Sequence, residues 1–91
     1  MDTYSEIVRK IITTQQTILG PVAVSIAGGI NSLDIHDLNN PVIISDPKVA
    51  LTELVMQYSS FFGNISITMC KEAAHDVMNR TTEVELPDVL K

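Results

Sequence analysis

Two apolar stripes, each running through a glycine, constrain this chain more than any other feature. Over residues 3–19 apolar side chains recur at three-to-four spacing (Tyr4, Ile7, Val8, Ile11, Ile12, Ile18, Leu19), with Gln15 in the one turn that lacks one. Such spacing lines one face of a helix. Beyond Gly20-Pro21 it continues at Val22, Ile26 and Ile30. The second stripe reads Leu51, Val55, Tyr58, Phe62, Ile65, Met69, Ala73 and Val77, and it crosses Gly63. A shift of 43 residues lays Gly63 on Gly20, Phe61-Phe62 on Ile18-Leu19, Ile65 on Val22 and Leu54-Val55 on Ile11-Ile12. Only the glycine is identical in the two copies, so what repeats is a pattern.

A proline inside a helix removes a hydrogen bond and clashes with the carbonyl four residues back, at about 3 kcal/mol. The chain therefore bends at Gly20-Pro21 or restarts with Pro21 in the first turn. Val22, Val24 and Ile26 also alternate as a strand would. The second copy favours helix, because "MCKEAAHDVMNR" is helical in pattern with no breaker back to Gly63. Thr3 or Ser5 is expected to cap the first helix, and Gly28-Gly29 to end its second limb in a left-handed conformation. Two β-leaning runs, Leu33–Ile35 and Val42–Ile44, flank the turn-rich "HDLNNP" and predict a small hairpin. Ser45-Asp46-Pro47 then reads as a cap followed by a first-turn proline. The expected fold is mainly α: two long bent helices, 3–30 (bend at 20–21) and 46–79 (bend near 63), joined by a β-hairpin at 32–45. A C-terminal arm at 80–91 completes a single domain, 1–91.

At 91 residues the chain buries only about 60–65% of its unfolded surface, which leaves little margin for a lone fold. Adjacent helical positions point about 100° apart. The pairs Ile11-Ile12, Ile18-Leu19 and Phe61-Phe62 therefore widen the stripes beyond what one antiparallel helical hairpin covers. A second copy would complete a four-helix bundle. The residues expected at that homodimer interface are Ile11, Ile18, Leu19, Tyr58, Phe61, Phe62 and Ile65.

Charge and composition narrow the function. The formal net charge is −5, and the six basic residues form no stripe, which argues against nucleic-acid binding. The acid-bearing start "MDTYSEIVRK" is unlike a signal peptide. The longest apolar run, Ile18–Ile30, is interrupted by glycine and proline and is shorter than the roughly 20 residues of a membrane span. A single cysteine, Cys70, excludes an intrachain disulfide and suits a reducing compartment. A cytoplasmic protein is the expectation.

Few residues suggest chemistry. No glycine-rich phosphate loop occurs. Glu72 and His75, three apart on a helix, have the spacing of a carboxylate–histidine metal pair, with Glu6 or Glu53 as an added ligand. Asp34, His36 and Asp37 form a second candidate cluster, although local turn hydrogen bonds explain such residues equally well. Cys70 has no orienting base on its own helical face, and Ser59-Ser60 have none nearby. Met56, Met69 and Met78 suit core filling or a plastic binding surface. No enzyme activity and no cofactor are expected. The function expected is a small protein-interaction or regulatory module, a signal-transduction adaptor acting as a homodimer, whose acidic surface meets a basic partner protein. The competing reading is a helical bundle that binds a small ligand or a metal, through Glu72 and His75 or an apolar cavity near the bends.

Overall fold

Asp2 opens the first helix: its Oδ1 accepts the backbone N–H of Ser5 at 2.8 Å. It takes the capping place expected of Thr3 or Ser5. The computed structural model describes residues 2–81 and 83–91. Helix α1 spans Thr3–Leu19 and α2 spans Val22–Gly28. Strand β1 (Leu33–Asp34) pairs antiparallel with β2 (Val42–Ile43), with Leu33 opposite Ile43 and Asp34 opposite Val42. Helix α3 spans Pro47–Phe62 and α4 Asn64–Arg80, and a single 3-10 turn covers Asp88–Leu90. The chain is thus mainly helical with a small two-stranded sheet. Asp46 caps α3 as its sequence predicts, accepting from Lys48 N at 2.8 Å and Val49 N at 3.4 Å, with Pro47 in the first turn.

At Gly20-Pro21 the chain restarts, with Pro21 capping α2, and near Gly63 the expected bend is likewise a break. Gly20 has φ 72°, ψ −153° and Gly63 has φ 79°, ψ −164°. That region is open essentially only to glycine, and no helix continues through it. The two corners share one design. Each glycine N–H closes the helix before it, Gly20 to Gln16 O at 2.8 Å and Gly63 to Ser59 O at 2.7 Å. Each glycine carbonyl then accepts the first bond of the next helix, from Ala23 N at 3.2 Å and from Ser66 N at 3.1 Å. Every one of these partners is related to its counterpart by the 43-residue shift. The other expected glycine cap differs: Gly29 ends α2 at φ −83°, outside the left-handed region.

Because each corner turns the chain out of helical phase, the apolar stripe slips by one residue across it. Val22 and Ile26 are predicted to point inward after Gly20, but Ala23 and Ala27 do so. Ile65 and Met69 are predicted inward after Gly63, but Ser66 and Cys70 are the buried pair. Next to each corner small side chains enter the core and larger ones remain outside, whereas farther along Ile30, Ala73 and Val77 are buried as their spacing predicts.

Helix α1 packs chiefly on α4, running antiparallel to it: Gln15 meets Cys70, and Lys10 meets Asp76 at 3.5 Å. Its buried Ile7, Val8, Ile11 and Ile12 face a helix whose buried side chains are mostly small, Cys70, Ala73, Ala74 and Val77. Large against small lets two helices approach closely. Helix α2 packs on α3 in the equivalent way, and the buried Tyr58 hydroxyl donates to Ala23 O at 2.7 Å. Burial follows the 43-residue shift throughout, with Val8 and Leu51, Ile11 and Leu54, Ile12 and Val55, and Gln15 and Tyr58 all inside. The four helices of one chain therefore cover the middle of both stripes and leave Ile18, Val22, Phe62 and Ile65 exposed near the corners. Residues 83–91 lie against α3 and α4, with Leu86 and Leu90 buried, Tyr4 Oη donating to Glu85 O at 2.8 Å, and Lys48 paired with Glu85.

Candidate functional site

Large apolar side chains are exposed on both sides of each corner: Ile18, Phe61 and Phe62 before it, where the preceding helix ends, and Val22 and Ile65 after it, where the stripe slips. Ile18, Phe61 and Ile65 are 53%, 64% and 68% exposed, and Val22 and Phe62 are also on the surface. Leu19 is half-buried against the core. The antiparallel register of α1 with α4 and of α2 with α3 brings both corners to one end of the molecule. There Val22, Ile26, Phe61 and Phe62 line a groove of about 410 Å³ between α2 and α3. The Phe61 and Phe62 rings lie 6.0 Å apart, tilted by 39°. Under the 43-residue shift, Ile18 corresponds to Phe61, Leu19 to Phe62 and Val22 to Ile65, so each corner supplies an equivalent half of the patch.

Of the residues expected at an interface, Ile18, Leu19, Phe61, Phe62 and Ile65 are grouped at this end. Ile11 and Tyr58 are corrected: both are fully buried within the chain, Ile11 under α4 and Tyr58 with its hydroxyl on Ala23 O. Met56, a candidate for core filling, is exposed, while Met69 and Met78 are half-buried.

The corner end also carries no charge. The six basic and eleven acidic residues all lie outside residues 11–33 and 54–70. Those two stretches contain the end of α1, all of α2, most of α3 and the start of α4. This signal was legible in the sequence as two long gaps between charged residues, Lys10 to Asp34 and Glu53 to Lys71, and apolar spacing alone does not reveal it.

The candidate metal ligands do not converge. Glu72 and His75 are both exposed, and the His75 ring Nε2 lies 3.1 Å from Leu90 O, turned toward the C-terminal arm. Glu53 accepts the Ser32 hydroxyl at 2.7 Å. Asp34 and Asp37 accept the backbone N–H groups of His36 at 2.9 Å and Asn39 at 3.0 Å, which uses their carboxylates to shape the hairpin loop. Among the described residues no three His, Cys, Asp or Glu side chains are placed to hold a metal ion. Nor is any helix among them long and apolar enough to cross a membrane.

Cys70 is buried, and the Gln15 amide donates to its Sγ at 3.6 Å. Burial pushes its thiol up to about 12, only partly opposed by that hydrogen bond. A thiol held protonated in this way is a poor nucleophile. Burial likewise raises the Tyr58 phenol above its ordinary value. At the opposite, charged end, the exposed pair Lys48 and Glu85 shift each other, the lysine upward and the carboxyl downward, through their mutual hydrogen bond.

Comparison of the chain with protein-family models, with curated proteins and with solved structures finds no match.

Proposed function

We propose that this protein is a small non-enzymatic interaction module, a regulatory or adaptor domain of the kind used in signal transduction, and that it acts as a homodimer. One observation carries the reading: Ile18, Val22, Phe61, Phe62 and Ile65 stand exposed together at the glycine corners, a larger group than the exposed Val42, Ile44 and Val49 at the hairpin and the start of α3. Contiguous exposed apolar surface on a small domain marks a contact site, and aromatic residues are enriched in such sites. Of the groups that could perform chemistry, Cys70 is buried and protonated, and Asp34 and Asp37 are occupied in local hydrogen bonds.

Light scattering coupled to size exclusion tests the reading on the wild type, Phe62→Asp and Ile65→Asp. The expected result is a mass of two chains for the wild type and of one chain for each variant. Both positions are exposed, so the helical circular-dichroism signal should be unchanged. A wild type with the mass of one chain at about 0.1 mM, a concentration at which even a micromolar dimer is formed, would refute it.

A second reading has its own observation. The groove beside the corners, at about 410 Å³, falls within the range of small-ligand pockets and is walled by Val22, Ile26, Phe61 and Phe62. An apolar ligand held there would appear as added mass in native mass spectrometry of the freshly purified protein, and would be lost from Phe62→Asp.

A further inference from the structure

We infer that two copies meet end to end through the uncharged glycine-corner pole, and not side by side along their helices. This rests on the homodimer reading above and specifies where and how the copies touch.

Charge selects the occupant. Each copy carries a net −5, so identical copies repel wherever their charged surfaces approach. The flank formed by α1 and α4 carries Lys10, Asp76 and Arg80 in a shared ion-pair cluster. The end formed by the arm carries Lys48, Glu85, Asp88 and Lys91. The corner pole is without charge, and there a second copy meets no like charge and desolvates no ion. A basic partner would be drawn by the acids, all of which lie elsewhere. An interface core depleted of charge and rich in aromatic side chains is what a homodimer contact presents.

Internal symmetry fits the same occupant. The pole is built from two equivalent corners, with Ile18 and Phe61, and Val22 and Ile65, exposed in equivalent places. A two-fold dimer uses one patch on both copies and requires it to be self-complementary. Here the groove between α2 and α3 forms one part of the patch, and the exposed Ile18 and Ile65 form others. Pole-to-pole pairing brings four glycine corners of the same geometry to a single interface and leaves all charged surface outside.

Site-specific disulfide capture tests this in full-length protein carrying Cys70→Ala, so that the introduced cysteine is the only thiol. Asn64→Cys places it in an exposed position at the pole and Arg9→Cys in one on the α1 flank. The expected result is a covalent dimer from Asn64→Cys under mild oxidation and none from Arg9→Cys. In parallel, sedimentation equilibrium of the wild type at about 0.05 M and about 0.5 M salt should give dimer dissociation constants within about threefold, because no ion pair crosses the interface for salt to screen. A dimer captured through Arg9→Cys and not Asn64→Cys, or one weakened tenfold or more by salt, overturns the pole-to-pole geometry while leaving the homodimer intact. A chain that stays monomeric in both salts overturns the geometry together with the homodimer reading.

Discussion

Replacing Gly63 with alanine isolates the energetic role of the corner. At φ 79°, ψ −164° an L-residue pays steric strain of about 1–3 kcal/mol. A Cβ built there meets nothing within 4 Å, so no packing clash adds to that figure. Alanine also restricts the unfolded chain, which returns about 0.4–1 kcal/mol. With the middle of each range the expected net loss is about 1.3 kcal/mol, and for a chain of this size a fall in Tm of about 5–10 °C. Asparagine is the informative control. It relieves strain in the left-handed helical region near ψ +47°, but Gly63 lies far from that region, so Gly63→Asn should lose as much as Gly63→Ala. Urea unfolding followed by far-ultraviolet circular dichroism, at one fixed protein concentration, measures all three proteins. A Gly63→Ala midpoint equal to or above the wild type would refute the corner geometry, and so would a Gly63→Asn protein as stable as the wild type.

The Cys70 thiol links stability to alkaline pH. It is protonated in both states below its ordinary value of 9.0, but between 9.0 and about 12 only the unfolded chain releases the proton, so stability falls as pH rises. The slope approaches about 1.4 kcal/mol per pH unit, and Cys70→Ala should remove more than half of it in urea titrations between about pH 9 and about pH 10, where the raised Tyr58 phenol contributes the smaller part in the same direction. An unchanged slope in Cys70→Ala would count against the burial of that thiol. Tyr58→Phe removes a buried hydroxyl bond to Ala23 O and should cost about 1–2 kcal/mol, whereas Tyr4→Phe removes an exposed one to Glu85 O and should leave the urea midpoint near the wild type. Equal effects of the two substitutions would contradict the placement of Tyr58.

Local chemistry was legible in this sequence, and direction was not. The start of α3 could be read because Asp46 and Pro47 act within one turn, and the hairpin because Asp34, Asp37 and Pro41 bias their own backbone. The helical character of residues 22–28 and 64–80 followed from comparing one stretch with the other. Apolar spacing does not encode the sign of φ at a glycine, however, so Gly20 and Gly63 read as bends in phase when they are breaks out of phase. That single difference moved Ala23 and Ser66 inward and left Val22 and Ile65 outside. Tyr58 was drawn toward an interface by its aromatic neighbours, but its hydroxyl had a partner inside the chain that only tertiary structure supplies. Leu90 gave no periodic signal and Leu86 only a short alternation with Val84, because both belong to an irregular arm whose burial depends on its packing against α3 and α4.

The antiparallel pairing of α1 with α4 also bears on synthesis. The first helix leaves the ribosome with Ile7, Val8, Ile11 and Ile12 bare, and the surface that receives them is not made until residues 20–63 have been added. During that interval the nascent chain presents a greasy ribbon to whatever is nearby. A chaperone that binds short amphipathic segments would have its longest opportunity there, and substitutions that lower the stickiness of α1 should improve the yield of soluble protein even where they weaken the finished fold.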